Sequence, residues 1–162
     1  MSRSISNKGK FTHRYAMELE EIKQISAKEA FTEISENNGS FLIDVRSEME
    51  WNNVGIPDLE ECGNNLILVE YQSYPTMAHN SNFLKELENK LRDKDVKSMF
   101  FMCKAGVRSQ AAAIDASVLI KNMFGEITVY NILDGFEGKG FPIFGGKYSG
   151  WKNLGLPWKL KD

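Results

Sequence analysis

Cys103 lies in FMCKAGVRSQAAA (101–113), at the end of an apolar run and ahead of Gly106, Arg108 and a series of alanines. A lone thiol becomes a nucleophile where its surroundings favour negative charge on sulfur. Cys103 closes an apolar strand. Residues 104–108 must then turn the chain into a helix starting near Ser109, whose free amides and dipole face the sulfur. Lys104 and Arg108 add two cations. Such a sulfur can attack without a histidine partner, and His13 and His79 stand isolated in polar surroundings. Gly106 permits the positive φ needed by a loop that curls its N–H groups inward. Two roles stay open for Ser109, a helix cap or a hydrogen-bond donor to a bound anion. The residues themselves thus offer Cys103 as nucleophile, with Lys104, Gly106, Arg108 and Ser109 beside it.

The elements that hold this loop alternate along the chain. EIKQI (21–25) reads as a short strand, and Ser26 caps the following helix, with Glu29 completing a capping-box pattern. FLIDV (41–45), NLILVE (65–70), VKSMFFM (96–102) and ITVYNIL (127–133) read as further strands. A helical turn or two is expected around SEMEW (47–51). A helix opening at Asn80 or Ser81 puts Phe83, Leu84, Leu87 and Leu91 on one face. SQAAAIDASVLIKNM (109–123) is apolar nearly all round and predicts a helix packed deep against the sheet. Strands apolar on both faces and alternating with helices predict an α/β fold: an open, mainly parallel five-stranded sheet with helices on both faces. Ligands bind beyond the carboxyl ends of such strands, where Asp44 and Cys103 both fall.

The 162 residues, 42% hydrophobic, suit one domain, read as 17–162 behind a flexible basic tail, 1–16, that carries Arg3, Lys8, Lys10 and Arg14. A net charge of −2 gives no general attraction to nucleic acid or to an anionic membrane. No apolar segment approaches the ~18 residues of a membrane span, and the N-terminus lacks the apolar centre of a signal peptide, so a cytoplasmic protein is expected. Cys62 and Cys103 are too few and too far apart for a disulfide framework or a metal or redox pair. No metal and no cofactor is expected. Cys62, beside Glu60 and Glu61, reads as a plain loop cysteine. The run 140–148 lacks the Lys-Ser/Thr ending of a phosphate-binding loop.

CKAGVRS (103–109) resembles the active-site loop of single-domain rhodaneses, the sulfane-sulfur transferases. DVRSEMEW (44–51), NILDGFEG (131–138) and GWKNLGLPW (150–158) are similar to other segments of that family, over roughly residues 20–160. The resemblance implies that Cys103 takes sulfur from a donor such as thiosulfate, carries it as a persulfide and passes it to cyanide or a thiol. By the same resemblance the loop residues Lys104, Ala105, Gly106, Val107 and Arg108 would cradle the outer sulfur with their amides, and Ser109 would complete the substrate-binding set. Arg108 and Lys104 would hold an anionic donor, and Asp44, Arg46 and Glu50 would form a structural ion-pair network. The partners it implies are a small sulfur donor and acceptor, with a sulfur-relay protein as a further candidate. VGIPDLEE (54–61) departs from the family by lacking a histidine. The segment GKGFPIFGGKYSG (138–150) is longer than the family minimum, and the tail from Gly135 to Trp158 is expected to be ordered loop plus a short final helix around SGWKNLG. Phe141, Phe144 and Tyr148 either rim the pocket or fold back on their own core, the latter being favoured.

Two rival readings accompany this one. Cysteine-dependent phosphatases place five residues between cysteine and arginine, whereas here four intervene, 104–107. A non-catalytic docking or regulatory module of the same fold is the other, against which stands the presence of both Cys103 and Arg108.

Overall fold

The structure is a computed structural model that describes residues 22–139 and 149–162; the basic stretch 1–16 and Phe141, Phe144 and Tyr148 lie outside the described residues. Five apolar runs form one parallel sheet from strands β1 (Ile22–Ile25), β2 (Ser40–Asp44), β4 (Leu66–Leu68), β7 (Ser98–Met102) and β8 (Thr128–Ile132). Its order is β1-β8-β7-β2-β4. Every neighbouring pair is parallel, with Asp44 beside Met102 at the carboxyl ends of the two central strands.

Side chains alternate along each strand, so each face buries its own core. Phe41, Ile43, Met99, Phe101 and Cys103 face α3 (Phe83–Leu91) and α4 (Val107–Phe124). Leu42, Phe100, Met102 and Ile132 face α1 (Ala27–Glu36) and Trp151. Helices therefore cover both faces, as the alternation of elements predicts. Ala112, Ala113 and Ala116 are fully buried and let α4 approach the sheet closely. Ser26 caps α1 by accepting from the Glu29 amide. The full capping box belongs instead to Ser47 and Glu50, at the start of α2 (Glu48–Val54).

Four expectations are corrected. The last long helix starts at Val107, two residues before Ser109, because Gly106 at φ 94° turns the chain abruptly into it. That helix buries one face only, and Val107 and Val118 are exposed. Leu84 is exposed too, since the buried stripe of α3 is Phe83, Leu87 and Leu91. SGWKNLG forms no helix: Gly150 and Gly155 take positive φ, and the chain turns there into β9 (Trp158–Lys159). This strand pairs with β3 (Ile56–Pro57), so the segment that departs from the rhodanese pattern anchors the C-terminus. A small hairpin, β5 (Gln72–Ser73) with β6 (Ala78–His79), precedes α3. Among the described residues no helix is long and apolar enough to cross a membrane.

Candidate active site

Chain connections leave the two central strands in opposite directions. From β2 the chain runs out to β4 at one edge, and from β7 it runs through α4 to β8 on the other side. Such a reversal leaves a crevice at the carboxyl ends of the strands. Cys103 sits there, one residue past β7 and beside Val45, whose amide donates to the Met102 carbonyl at 2.8 Å.

Three residues, 104–106, separate Cys103 from α4. Their outer side is strapped by the segment after β8: the Phe136 amide donates to the Cys103 carbonyl at 2.8 Å, and the Glu137 amide to the Lys104 carbonyl at 3.1 Å. A trans peptide points its N–H opposite its C=O, so the Lys104 and Ala105 amides turn away from the strap. The Gly106 amide donates to Cys103 Sγ at 3.1 Å. Here glycine is needed twice over: φ is 94°, and an added Cβ would lie 2.2 Å from the Leu133 carbonyl oxygen.

Ser109 is fully buried, and its Oγ lies 3.2 Å from Cys103 Sγ. That hydroxyl donates to Asn131 Oδ1 at 2.6 Å. The amide nitrogen of Asn131 in turn donates to the Gly106 carbonyl at 3.1 Å and to Gln24 Oε1 at 2.9 Å, so its oxygen must be the atom facing Ser109. With its one hydrogen given to Asn131, Ser109 meets a thiol as acceptor. Ser109 therefore does not cap α4. Nothing in the sequence reading singled out Asn131, although an asparagine among the apolar residues of β8 was the available signal.

Two arginines flank the loop, and each has its own carboxylate. Arg46 and Asp44 are both fully buried, with Arg46 Nη2 2.7 Å from Asp44 Oδ2 and Nε 3.0 Å from Oδ1. Arg46 also donates to the Gly55 carbonyl at 2.9 Å and lies 4.0 Å over the Phe136 ring, so it ties β2 to the strap beneath the loop. Glu50 does not join this pair, contrary to the expected three-residue network. It takes Arg108 in a bidentate pair, Nη1 to Oε1 at 2.7 Å and Nη2 to Oε2 at 2.9 Å. The same carboxylate accepts from the Ser47 amide and hydroxyl. Burial pushes the Glu50 carboxyl up, but Arg108 and Ser47 outweigh it and hold it below the usual carboxylate range.

Lys104 is exposed and Ala105 half-buried; Val107, the first residue of α4, is 80% exposed, and Leu133, whose carbonyl lies against Gly106, is 43% exposed. Cys103 itself is 1% exposed. Cys62 packs against the core on the other face of the sheet, and burial pushes its thiol up. Sequence had no means of placing the two cysteines on opposite faces. Among the described residues no cluster of His, Cys, Asp and Glu is arranged to hold a metal.

The buried pair yields a direct stability prediction. Arg46→Leu leaves the Asp44 carboxylate buried without a counter-ion and is expected to cost about 3–5 kcal/mol. Urea denaturation measures it, and a loss under about 1 kcal/mol would contradict the pairing described above.

The STR4 middle domain family matches this chain over residues 22–162. The uncharacterized protein RP600 of Rickettsia prowazekii is 34% identical over 140 residues, which cover 86% of this chain and 98% of that protein. The crystal structure of Rv0390 from M. tuberculosis is similar at 36% identity and a TM-score of 0.69, covering 86% of this chain and 98% of that one. The chloroplastic rhodanese-like domain-containing protein 4 of Arabidopsis thaliana is 27% identical over 133 residues, covering 82% of this chain and 25% of that protein. The family that matches is thus the STR4 middle domain and not a rhodanese family, while the chloroplastic relative is a rhodanese-like domain-containing protein. With its parallel five-stranded sheet and rhodanese-like fold, the chain belongs to the STR4 middle domain family.

Proposed function

We propose that this protein is a sulfurtransferase in which Cys103 carries sulfane sulfur as a persulfide. The observation that carries the reading is the position of the sulfur: at the switch point of the sheet, bonded by the Gly106 amide at 3.1 Å and facing the first turn of an 18-residue helix. Amides and a helix start of this kind stabilise negative charge on a transferred group.

The Cys103 thiolate attacks the outer sulfur of a donor R–S–SH. The new S–S bond forms as the old one breaks, and R–S⁻ leaves with the electron pair, giving Cys103–S–SH. An acceptor thiolate R′–S⁻ then attacks the outer sulfur, releasing R′–S–SH and restoring the Cys103 thiolate. With cyanide as acceptor, thiocyanate leaves and the persulfide proton passes to water. Atoms and charge balance in each step with no external oxidant, since a persulfide is a reversible state of cysteine. Lys104, Ala105, Gly106, Val107, Arg108 and Ser109 surround the transferred sulfur. The partners are a sulfane donor and a thiol or cyanide acceptor, with a sulfur-relay protein as a macromolecular candidate, and the catalytic unit is residues 17–162.

The burial of Cys103, at 1% exposure, favours a second reading, a docking module that performs no transfer. The four-residue spacing before Arg108 disfavours a phosphatase. One assay separates the three: thiocyanate production from thiosulfate or a persulfide with cyanide, run beside hydrolysis of an aryl phosphate. Steady thiocyanate turnover with no phosphate release is expected. Phosphate release alone would establish a phosphatase, and neither activity would leave a docking module.

A further inference from the structure

The geometry points to Glu50 as the residue that sets donor selectivity, turning the cleft away from dianionic thiosulfate and toward sulfane sulfur carried on an uncharged thiol group, R–S–SH. This rests on the sulfurtransferase reading of Cys103. A cationic side chain with free charge would favour an anionic donor beyond what the loop amides supply, and neither arginine beside the loop has it. Arg46 is fully buried against Asp44. Arg108 presents both terminal nitrogens to the two oxygens of Glu50, at 2.7 and 2.9 Å, with side chains only 16% and 19% exposed.

Glu50 is also not free to swing off. Its carboxylate closes the capping box of α2, accepting from the Ser47 amide at 3.2 Å and the Ser47 hydroxyl at 3.0 Å. Releasing Arg108 to a donor therefore leaves a half-buried carboxylate without its partner, which opposes binding of any second anion at that guanidinium. Among the described residues of the loop and its flanks, the exposed groups are the cation Lys104 and the apolar side chains of Val107 and Leu133. That combination accommodates an alkyl persulfide better than a doubly charged oxyanion. In the transfer itself Cys103 sulfur bonds to the outer sulfur of R–S–SH and R–S⁻ departs, as above, so Glu50 alters which donor docks and touches no reacting atom.

Glu50→Gln tests this, because the amide oxygen still accepts from Ser47 and from Arg108 while the negative charge is gone. Three readings are taken on the full chain: calorimetric binding of sulfate, an unreactive mimic of thiosulfate, and kcat/KM with cyanide for thiosulfate and for 2-hydroxyethyl persulfide. Sulfate should bind about tenfold more tightly to the variant, and the thiosulfate-to-persulfide ratio of kcat/KM should rise by about tenfold, the effect of one unit charge close to the site. A merely structural role for Glu50 would weaken both and tighten neither. Unchanged or weaker sulfate binding in a folded variant overturns the assignment, even if transfer proceeds from both donors. Tighter sulfate binding with no transfer from either donor keeps the role of Glu50 and overturns the transferase reading. If Glu50→Gln fails to fold, the wild type decides: it should prefer 2-hydroxyethyl persulfide over thiosulfate by at least about tenfold, and the opposite preference overturns the assignment.

Discussion

Cys103→Ser is expected to lose sulfur transfer down to the uncatalysed rate while keeping its fold. Serine is close in shape to cysteine, and the site already offers its hydroxyl two partners, the Gly106 amide and Ser109 Oγ, at 3.1 and 3.2 Å from the present sulfur. Burying a hydroxyl there with partners available should cost about 1 kcal/mol, which leaves the cooperative unfolding transition intact. An oxygen cannot carry the sulfane sulfur, so no intermediate forms. Turnover above about one hundredth of wild type would show that sulfur moves by another route.

Gly106→Ala is expected to damage both stability and chemistry. A side chain at φ 94° is disfavoured by about 1–2 kcal/mol before any contact is considered. The added methyl would also lie 2.2 Å from the Leu133 carbonyl oxygen and 2.9 Å from its carbon. These are backbone atoms at the end of β8, held by the Leu133 amide to the Ile25 carbonyl at 2.8 Å, so they cannot swing aside like a side-chain tip. The loop must move instead, and with it the amide that bonds the sulfur. A total loss of about 3 kcal/mol or more is expected by denaturant titration, with transfer reduced by more than tenfold. Stability and transfer both near wild type would mean that the loop does not depend on this turn.

Much of the fold was legible because burial leaves a local signature. β2 and β7 are apolar on both faces, and continuous runs such as FLIDV and SMFFM announce central parallel strands. The Ser26 cap was equally readable, since it involves residues three apart. Misreadings arose where tertiary geometry decides. Val107 begins a helix because Gly106 adopts a left-handed conformation, and the residue types alone fit a start at Ser109 as well. Leu84 fits the helical stripe by spacing, yet it lies outside the arc that the sheet covers. SGWKNLG has helix-like apolar spacing, but the glycines at its ends turn it and Trp151 Nε1 donates to the Pro157 carbonyl.

Within the site, the sequence marked the cysteine and its loop but not what supports them. Glu50 meets Arg108 across 58 positions of chain, and nothing local in either segment specifies that pairing over one with Arg46. Asn131 and the strap at Phe136 reach the loop only because β8 lies next to β7. Strand order is a long-range outcome of packing, and it determined these contacts.

Intact-protein mass measurement tests the central claim most directly: wild type and Cys103→Ser are each exposed to 2-hydroxyethyl persulfide, cleared of donor and then treated with cyanide. Persulfide formation predicts a gain of about 32 Da on wild type alone, removed by cyanide as thiocyanate. No gain on folded wild type, or the same gain on Cys103→Ser, would contradict Cys103 as the sulfur carrier.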